Sequence, residues 1–369
     1  MTFSRVLFIV FTLFAVAGGL DYIFGSRLGL GKAFARGFST MGPLALTMTG
    51  MIVLAPLLAK LLSPVILPLF GWMGVDPAML AGCLLACDMG GAPLAEALTS
   101  DPQGAILGGI VCSSLLGVTV TFTIPVAMGM LSEGDRPYAA KGILCGIITV
   151  PAGILVGGLV AGIPMLKVLI NLLPTLLPAL LIALGLWKFE RVVIRLFTWF
   201  GRIMTALSVL GLLAGLTQRL TGWAPVPHLA PIGDALLIVG EIALLLAGAF
   251  PLMHLITMLL RRPLLALGRR LGINEASVTG LLTTTVNSIA TFDTIKDMDP
   301  RGKVLNMAFA VSAAFVFGDH LAFTGGWNPE AIPALIAAKL TAGGTALALA
   351  LLITRKKKGE SVPAREAEG

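Results

Sequence analysis

Three ionisable side chains stand in stretches otherwise too apolar to hold them. Asp88 lies in Gly82-Cys83-Leu84-Leu85-Ala86-Cys87-Asp88-Met89-Gly90-Gly91-Ala92-Pro93, and Asp319-His320 close Ala313-Ala314-Phe315-Val316-Phe317-Gly318-Asp319-His320. An ionisable group inside an apolar span is costly, which makes it a functional candidate by default. Two carboxylates suit a small cation, and an imidazole titrates near physiological pH, so it can gate or accept a proton. Asp88 also marks a helix break, because the glycines and proline after it disfavour a continued helix. Gly90 and Gly91 therefore join it as site candidates. A second polar cluster, Thr283-Thr284-Thr285-Val286-Asn287-Ser288, offers hydroxyls and an amide, and Thr285, Asn287 and Ser288 are its candidates. Structural roles compete with each: Asp88 as a half-helix cap, Asp319-His320 as an interfacial pair, the threonines bonding back to their own helices. A large anionic substrate would want buried Arg or Lys, and the spans offer none. Lys339 is the only basic residue deep in the last one, where its stem can snorkel to the interface.

The elements that hold these residues follow from composition. Hydrophobic residues make up 57% and charged residues 12% of the chain, against about 25% charged in a soluble domain, and mean hydropathy is +0.95. The chain is a polytopic membrane protein, and its net charge of +7 is no nucleic-acid footprint. Apolar runs of spanning length, about 20 residues, lie near 4–24, 40–62, 104–131, 140–162, 166–187, 196–218, 236–260, 303–323 and 331–354. Lys and Arg cluster at 27–36, 136–141, 188–195, 261–270, 296–303 and 355–358, which the positive-inside rule puts in the cytoplasm.

Parity then constrains two interrupted runs. The span 40–62 leaves the cytoplasm and 104–131 returns, so 78–98 must enter and leave on the outer side. Residues 276–297, flanked by inner basic clusters, must do the same from the inside. The expected architecture is all-α, with about nine transmembrane helices and two re-entrant hairpins. An internal repeat at an offset of 198 positions agrees. It superimposes Gly42 on Gly240, Gly50 on Gly248, Gly74 on Gly272, Gly82 on Gly280 and Asp101-Pro102 on Asp299-Pro300. About a quarter of positions match over 42–125, against roughly one in ten by chance. The two copies, 1–162 and 199–354, start on opposite sides of the membrane, with 163–198 between them and a polar cytoplasmic tail at 355–369. Such an inverted-topology repeat is the plan of secondary transporters, whose sites lie at the midplane among interrupted helices. The repeat also makes 4–24 a retained first span rather than a secretory signal, with the N-terminus outside. Asp88 falls on Val286 and Asp319 on Thr121, so the acids break the symmetry.

Cys83, Cys87, Cys112 and Cys145 all lie in apolar runs. A disulfide framework is not expected, and the i,i+4 spacing of Cys83 and Cys87 is read as small apolar packing rather than a metal site. No cofactor is expected.

Leu84-Leu85-Ala86-Cys87-Asp88-Met89-Gly90-Gly91, Arg301-Gly302-Lys303-Val304 and Ala308-Phe309-Ala310-Val311-Ser312-Ala313-Ala314-Phe315 through Gly318-Asp319-His320-Leu321 closely resemble the ethanolamine utilisation protein EutH family. The resemblance runs from about residue 38 to 354. It implies an integral-membrane permease of the bacterial inner membrane for ethanolamine or a close small amine. It also implies a functional link to the ethanolamine ammonia-lyase pathway. Asp88 and Asp319-His320 fall on the family's motif positions. The second hairpin departs from the family pattern Asn-Asn-Ile-Pro, having Asn287-Ser288-Ile289-Ala290. On this reading Asp88 pairs with the ammonium, Asn287 and Ser288 receive the hydroxyl, and the partners are the amine, the bilayer and an optional second copy of the chain. Ion-coupled uptake of another small solute stays open. So does an intramembrane enzyme built on Asp88 and His320, against which the lack of an HExxH, a GxSxG or a metal-spaced cluster weighs.

Overall fold

The computed structural model describes residues 2–355, and among them every regular element is helical. Of the expected tail at 355–369, residues 356–369 lie outside the described residues. Among the described residues, eight helices are long and apolar enough to cross a membrane. They are α1 (Phe3–Ile23), α2 (Leu30–Met73), α5 (Pro102–Met130), α6 (Arg136–Val160), α7 (Met165–Lys188), α8 (Glu190–Thr221), α9 (Ile232–Leu271) and α14 (Ile332–Ile353). Short helices fill the interrupted runs: α3 (Ala78–Leu84) with α4 (Gly91–Leu98), α10 (Glu275–Thr284) with α11 (Ser288–Thr294), and α12 (Pro300–Ala313) with α13 (Asp319–Trp327).

Two expectations change. The run 40–62 belongs to a longer helix of 44 residues, which carries Arg36 on its first turns and runs to the Gly74 left-handed cap, φ +66°. Its prolines at 56, 64 and 68 stay inside the helix, as neighbouring helices in a membrane protein allow. The ninth expected span, 303–323, is two helices with a break at 314–318. The amides of Phe315 and Phe317 leave their own helix to bond the carbonyls of Thr284 and Thr285, at 3.1 and 2.8 Å. Phe315 takes φ +61° to do so, a conformation that costs a non-glycine residue about 1–2 kcal/mol.

The helix starts follow local chemistry. Asp101 and Asp299 cap α5 and α12, each accepting a backbone N–H and followed by proline at the first helical position. Asn274 caps α10 through Ser277 N–H. Asp76 accepts from Ala78 N–H ahead of α3 and receives the Thr99 hydroxyl, both at 2.8 Å.

The central helix is α5. In its most apolar window 83% of residues are buried, against 11% for α8, so α5 is the axis and α8 faces outward. Its stretch Ile106–Gly117 is wound as a wide π-helix, a rare form that is frequent at functional sites. Leu107, Val111 and Leu115 of α5 pack against Ile143, Ile147 and Ile154 of α6 and Ala338 of α14. The outward faces of α7 and α8 carry Leu166, Leu169, Leu173, Leu180, Leu210 and Leu213, all exposed. In water these leucines would be an aggregation liability; in lipid they are the ordinary surface.

Candidate functional site

The first break runs from Leu85 to Gly90. Leu85 turns out of α3 in extended conformation, Cys87–Met89 form one 3₁₀ turn, and Gly90 enters α4 at φ +101°. The amides of Met89 and Gly91 both bond the Ala86 carbonyl, at 3.0 and 2.8 Å. Ala86 N–H is taken by the Thr121 hydroxyl of α5, at 3.2 Å. Asp88 caps nothing: the N-cap of α4 is Gly90, with no side-chain bond. Its carboxylate has its own and the Met89 backbone amides nearby, and the His320 Nε2 stands 3.7 Å away.

His320 lies in the first turn of α13 and is buried, its ring 5.3 Å from that of Phe315, which meets Phe122 edge-on. On its other side the Nδ1 is 3.2 Å from the Lys339 Nζ. Lys339 is fully buried and donates to the Ser114 carbonyl in the π-wound stretch of α5, at 2.6 Å. An ammonium only donates, so with Lys339 charged Nδ1 must accept, which leaves the ring proton on Nε2, toward Asp88. Asp88, His320 and Lys339 thus form one row across three helical segments. Asp319, the neighbour of His320, is within Coulombic reach of Asp88 and of Arg36.

Lys339 corrects the expectation that the spans hold no buried base and that this side chain snorkels outward. Residues Ala334, Leu335, Ala338, Ala342 and Gly343 around it are buried, because α14 packs against α6 and α12, and this leaves no route to an interface. Its position in the middle of an apolar helix was the available signal.

The second break is built differently. Asn287 Oδ1 caps α11 through Ile289 N–H at 2.9 Å, and Thr285 Oγ1 bonds back to the Leu282 carbonyl at 2.7 Å. Thr284 bonds Thr291, which bonds the Gly280 carbonyl. Only the Ser288 hydroxyl is buried without a partner. The break touches the segment before Asp319: Gly318 lies so close to the Val286 carbonyl that a Cβ would collide with it. The candidate residues therefore fall into two groups. Asp88 and Asp319-His320 come together around Lys339, with Gly90 and Gly91 shaping the backbone. Thr285, Asn287 and Ser288 border that group through residues 315–318.

Two cavities open beside the interrupted runs, neither of them lined by Asp88, His320 or Lys339. One, about 310 Å³, is lined by Ala92, Glu96, Thr99, Asp101, Trp327 and Asn328. Asp101 is engaged by Lys167 at 2.5 Å, so Glu96 is its uncommitted acid, and Trp327 stacks on Phe323. The other, about 390 Å³, is lined among others by Lys32, Arg36, Phe250, His254, Thr283 and Asn287. Cys87, Asp88 and His320 present atoms within 4.8 Å of one another, close enough to converge on a cation. A charged Lys339 on the far side of the imidazole opposes a divalent ion there.

Apolar helices of spanning length around a buried polar row define a multi-pass membrane protein, and the relatives narrow this to a membrane permease. A family model described as "Ethanolamine utilisation protein, EutH" matches residues 3–353, and the chain belongs to that family. It is 46% identical over 356 residues to the "Probable ethanolamine permease EutH" of Listeria monocytogenes serotype 1/2a (strain 10403S), covering 96% of this chain and 95% of the relative. It is 42% identical over 354 residues to the "Uncharacterized protein YxeR" of Bacillus subtilis (strain 168), covering 96% of both. It is 41% identical over 359 residues to the "Probable ethanolamine permease EutH" of Escherichia coli (strain K12), covering 90% and 88%. No solved structure matches the chain.

Proposed function

We propose that this protein is a permease for ethanolamine or a close small protonated amine in the bacterial inner membrane. The carrying observation is Asp88, an acid held at a helix break with no side-chain donor nearer than the His320 ring at 3.7 Å. The ammonium pairs with Asp88, Asp319 adds charge beside it, and His320 presents its Nε2 to the same carboxylate. The hydroxyl end goes to the second break, where the Ser288 hydroxyl is buried without a partner and the Asn287 side-chain NH₂ remains after Oδ1 is used for the cap. The names of the Listeria and Escherichia relatives support the substrate. Amine and route fit in charge as well: the cavity beside α4 offers Glu96 and the face of Trp327, which attract an ammonium.

The proposed scaffold is an inverted repeat of residues 1–162 and 199–354, with the 163–198 connector and the 355–369 tail, and re-entrant hairpins at 78–98 and 276–297. Contacts at equivalent positions support it. Gly50 of α2 packs on the Ser208 backbone of α8, and Gly248 of α9 packs on the Phe11 backbone of α1. Gly82 faces Gly108 while Gly280 faces Asn306, again 198 positions apart. Contacts between loops support the proposed orientation, with N-terminus outside and C-terminus cytoplasmic. Ser4 bonds the Pro329 carbonyl and Lys167 pairs with Asp101, all assigned outside. Lys303 pairs with Asp135 and Arg261 with Glu275, all assigned inside.

The test is uptake of labelled ethanolamine by purified protein in proteoliposomes. Asp88→Asn is isosteric and is expected to reduce uptake about a hundredfold per folded protein, the order of effect for a buried charge partner. Wild-type uptake by Asp88→Asn would refute the assignment.

A further inference from the structure

The row from Lys339 to Asp88 has a consequence for how the empty site is held. Lys339 places its Nζ at the centre of the protein with two partners, the Ser114 carbonyl at 2.6 Å and His320 Nδ1 at 3.2 Å. Neither partner is an anion. The compensating charge is reached through the imidazole: His320 Nε2 faces Asp88 at 3.7 Å. A buried cation needs an anion within its field, and Asp88 serves for as long as nothing else pairs with it. An ammonium arriving at Asp88 takes that compensation away and adds a second positive charge on the far side of one ring.

We infer that Lys339 is a tethered stand-in for the substrate, holding the charge of Asp88 through His320 when the site is empty and yielding it when an amine binds. This inference rests on the proposed amine permease reading. Lys339 is then a positioning residue with two effects. It weakens amine binding by competing for the same carboxylate. It also lets the unloaded protein pass through its conformational cycle without an uncompensated buried acid. A lysine that served packing alone would affect neither the affinity nor the difference between loaded and empty carrier.

Two transport modes separate these effects. Net uptake into empty vesicles requires the unloaded protein to return, whereas exchange against internal ethanolamine does not. Lys339→Gln keeps a donor for the Ser114 carbonyl and removes the charge. It is expected to retain exchange, with a half-saturating ethanolamine concentration about tenfold lower, and to lose most net uptake. Lys339→Arg, which keeps the charge, is expected to keep the wild-type ratio of net uptake to exchange. Ethanolamine is also expected to raise the thermal stability of Lys339→Gln more than that of the wild type, because the amine then supplies the missing cation. That readout serves even where the variant is unstable when empty.

The inference is overturned if Lys339→Gln loses exchange along with net uptake, or keeps both at wild-type affinity. A ratio of net uptake to exchange in Lys339→Arg as low as that in Lys339→Gln, or an equal stabilisation of Lys339→Gln and wild type by ethanolamine, overturns it as well. Failure of the wild type to move ethanolamine in either mode would instead sink the permease reading itself, before Lys339 is considered.

Discussion

The two breaks flanking the polar row solve the same problem by different means. Interrupting a helix at membrane depth strands backbone N–H and C=O groups that lipid cannot satisfy. At the second break the chain spends its own polar side chains on them: Asn287 caps α11, Thr285 bonds its own helix, and the Thr284 and Thr285 carbonyls receive amides from Phe315 and Phe317. At the first break the acid serves only the amides of its own turn, those of Asp88 and Met89. Gly90 supplies the turn, the Ala86 carbonyl takes two amides, and Thr121 takes the Ala86 N–H. Beyond those two amides the Asp88 carboxylate keeps acceptor sites to spare, and that surplus is what distinguishes a binding group from a structural one. A polar residue at a break is functional to the extent that the break does not need it.

The sharpest test of the contrast compares equivalent positions. Gly90 and Ser288 occupy the same place in the proposed repeat, but Gly90 has φ +101° and Ser288 opens an ordinary helix. Gly90→Ala is expected to destabilise the protein by about 2 kcal/mol, because a side chain rarely adopts that conformation, and its Cβ would also press on Met51. Ser288→Ala removes a buried hydroxyl that has no partner. It should leave the melting temperature in detergent unchanged or slightly raised, while the ethanolamine concentration for half-maximal uptake rises. Equal destabilisation by the two substitutions would erase the contrast.

Much of this was legible in the sequence, and the exceptions share a cause. Span length and helix-breaking residues locate α1, α6, α7 and the interruptions at 85–90 and 285–287 closely, because those signals are local. The break at 314–318 is written in residues that read as continuous helix, with a single glycine. It arises from carbonyls of Thr284 and Thr285, some thirty positions earlier in the chain. Lys339 reads as a snorkelling residue until the packing of α14 removes the route outward. Asn287 is a strong N-cap residue by type, so its capping role is legible in the sequence beside the ligand role. Non-local partners decide each of these cases.

The helix that enters the third break is tied to the first half of the chain by an ion pair. Lys303 of α12 and Asp135, ahead of α6, meet at 2.5 Å with both side chains largely buried. The Lys303 ammonium, helped by the Ser132 hydroxyl, holds the Asp135 carboxyl below the usual carboxylate range. A depressed carboxyl contributes stability above its unfolded value, about 3.9, and loses it as pH falls through the folded one. Asp135→Asn should therefore lower stability by about 2 kcal/mol at neutral pH. The gap to wild type should close as the pH is taken down past 4. A gap that widened on acidification would show that the pair does not act through the carboxylate.

The smallest effect concerns Asn287, where cap and ligand roles meet in one side chain. Its Oδ1 accepts from Ile289 N–H at 2.9 Å, so Asn287→Ala should cost about 1 kcal/mol, the usual value of an N-cap. Asn287→Asp keeps the capping oxygen and places a negative charge at the start of α11, which the helix dipole favours. Its stability should match the wild type. What Asp lacks is the NH₂ donor, so only a ligand role predicts weakened ethanolamine uptake in Asn287→Asp at unchanged melting temperature. If uptake by Asn287→Asp equals wild type while Asn287→Ala loses stability alone, Asn287 belongs wholly to the fold. The second break would then be structural throughout except for Ser288, and the amine would be held from the side of Asp88.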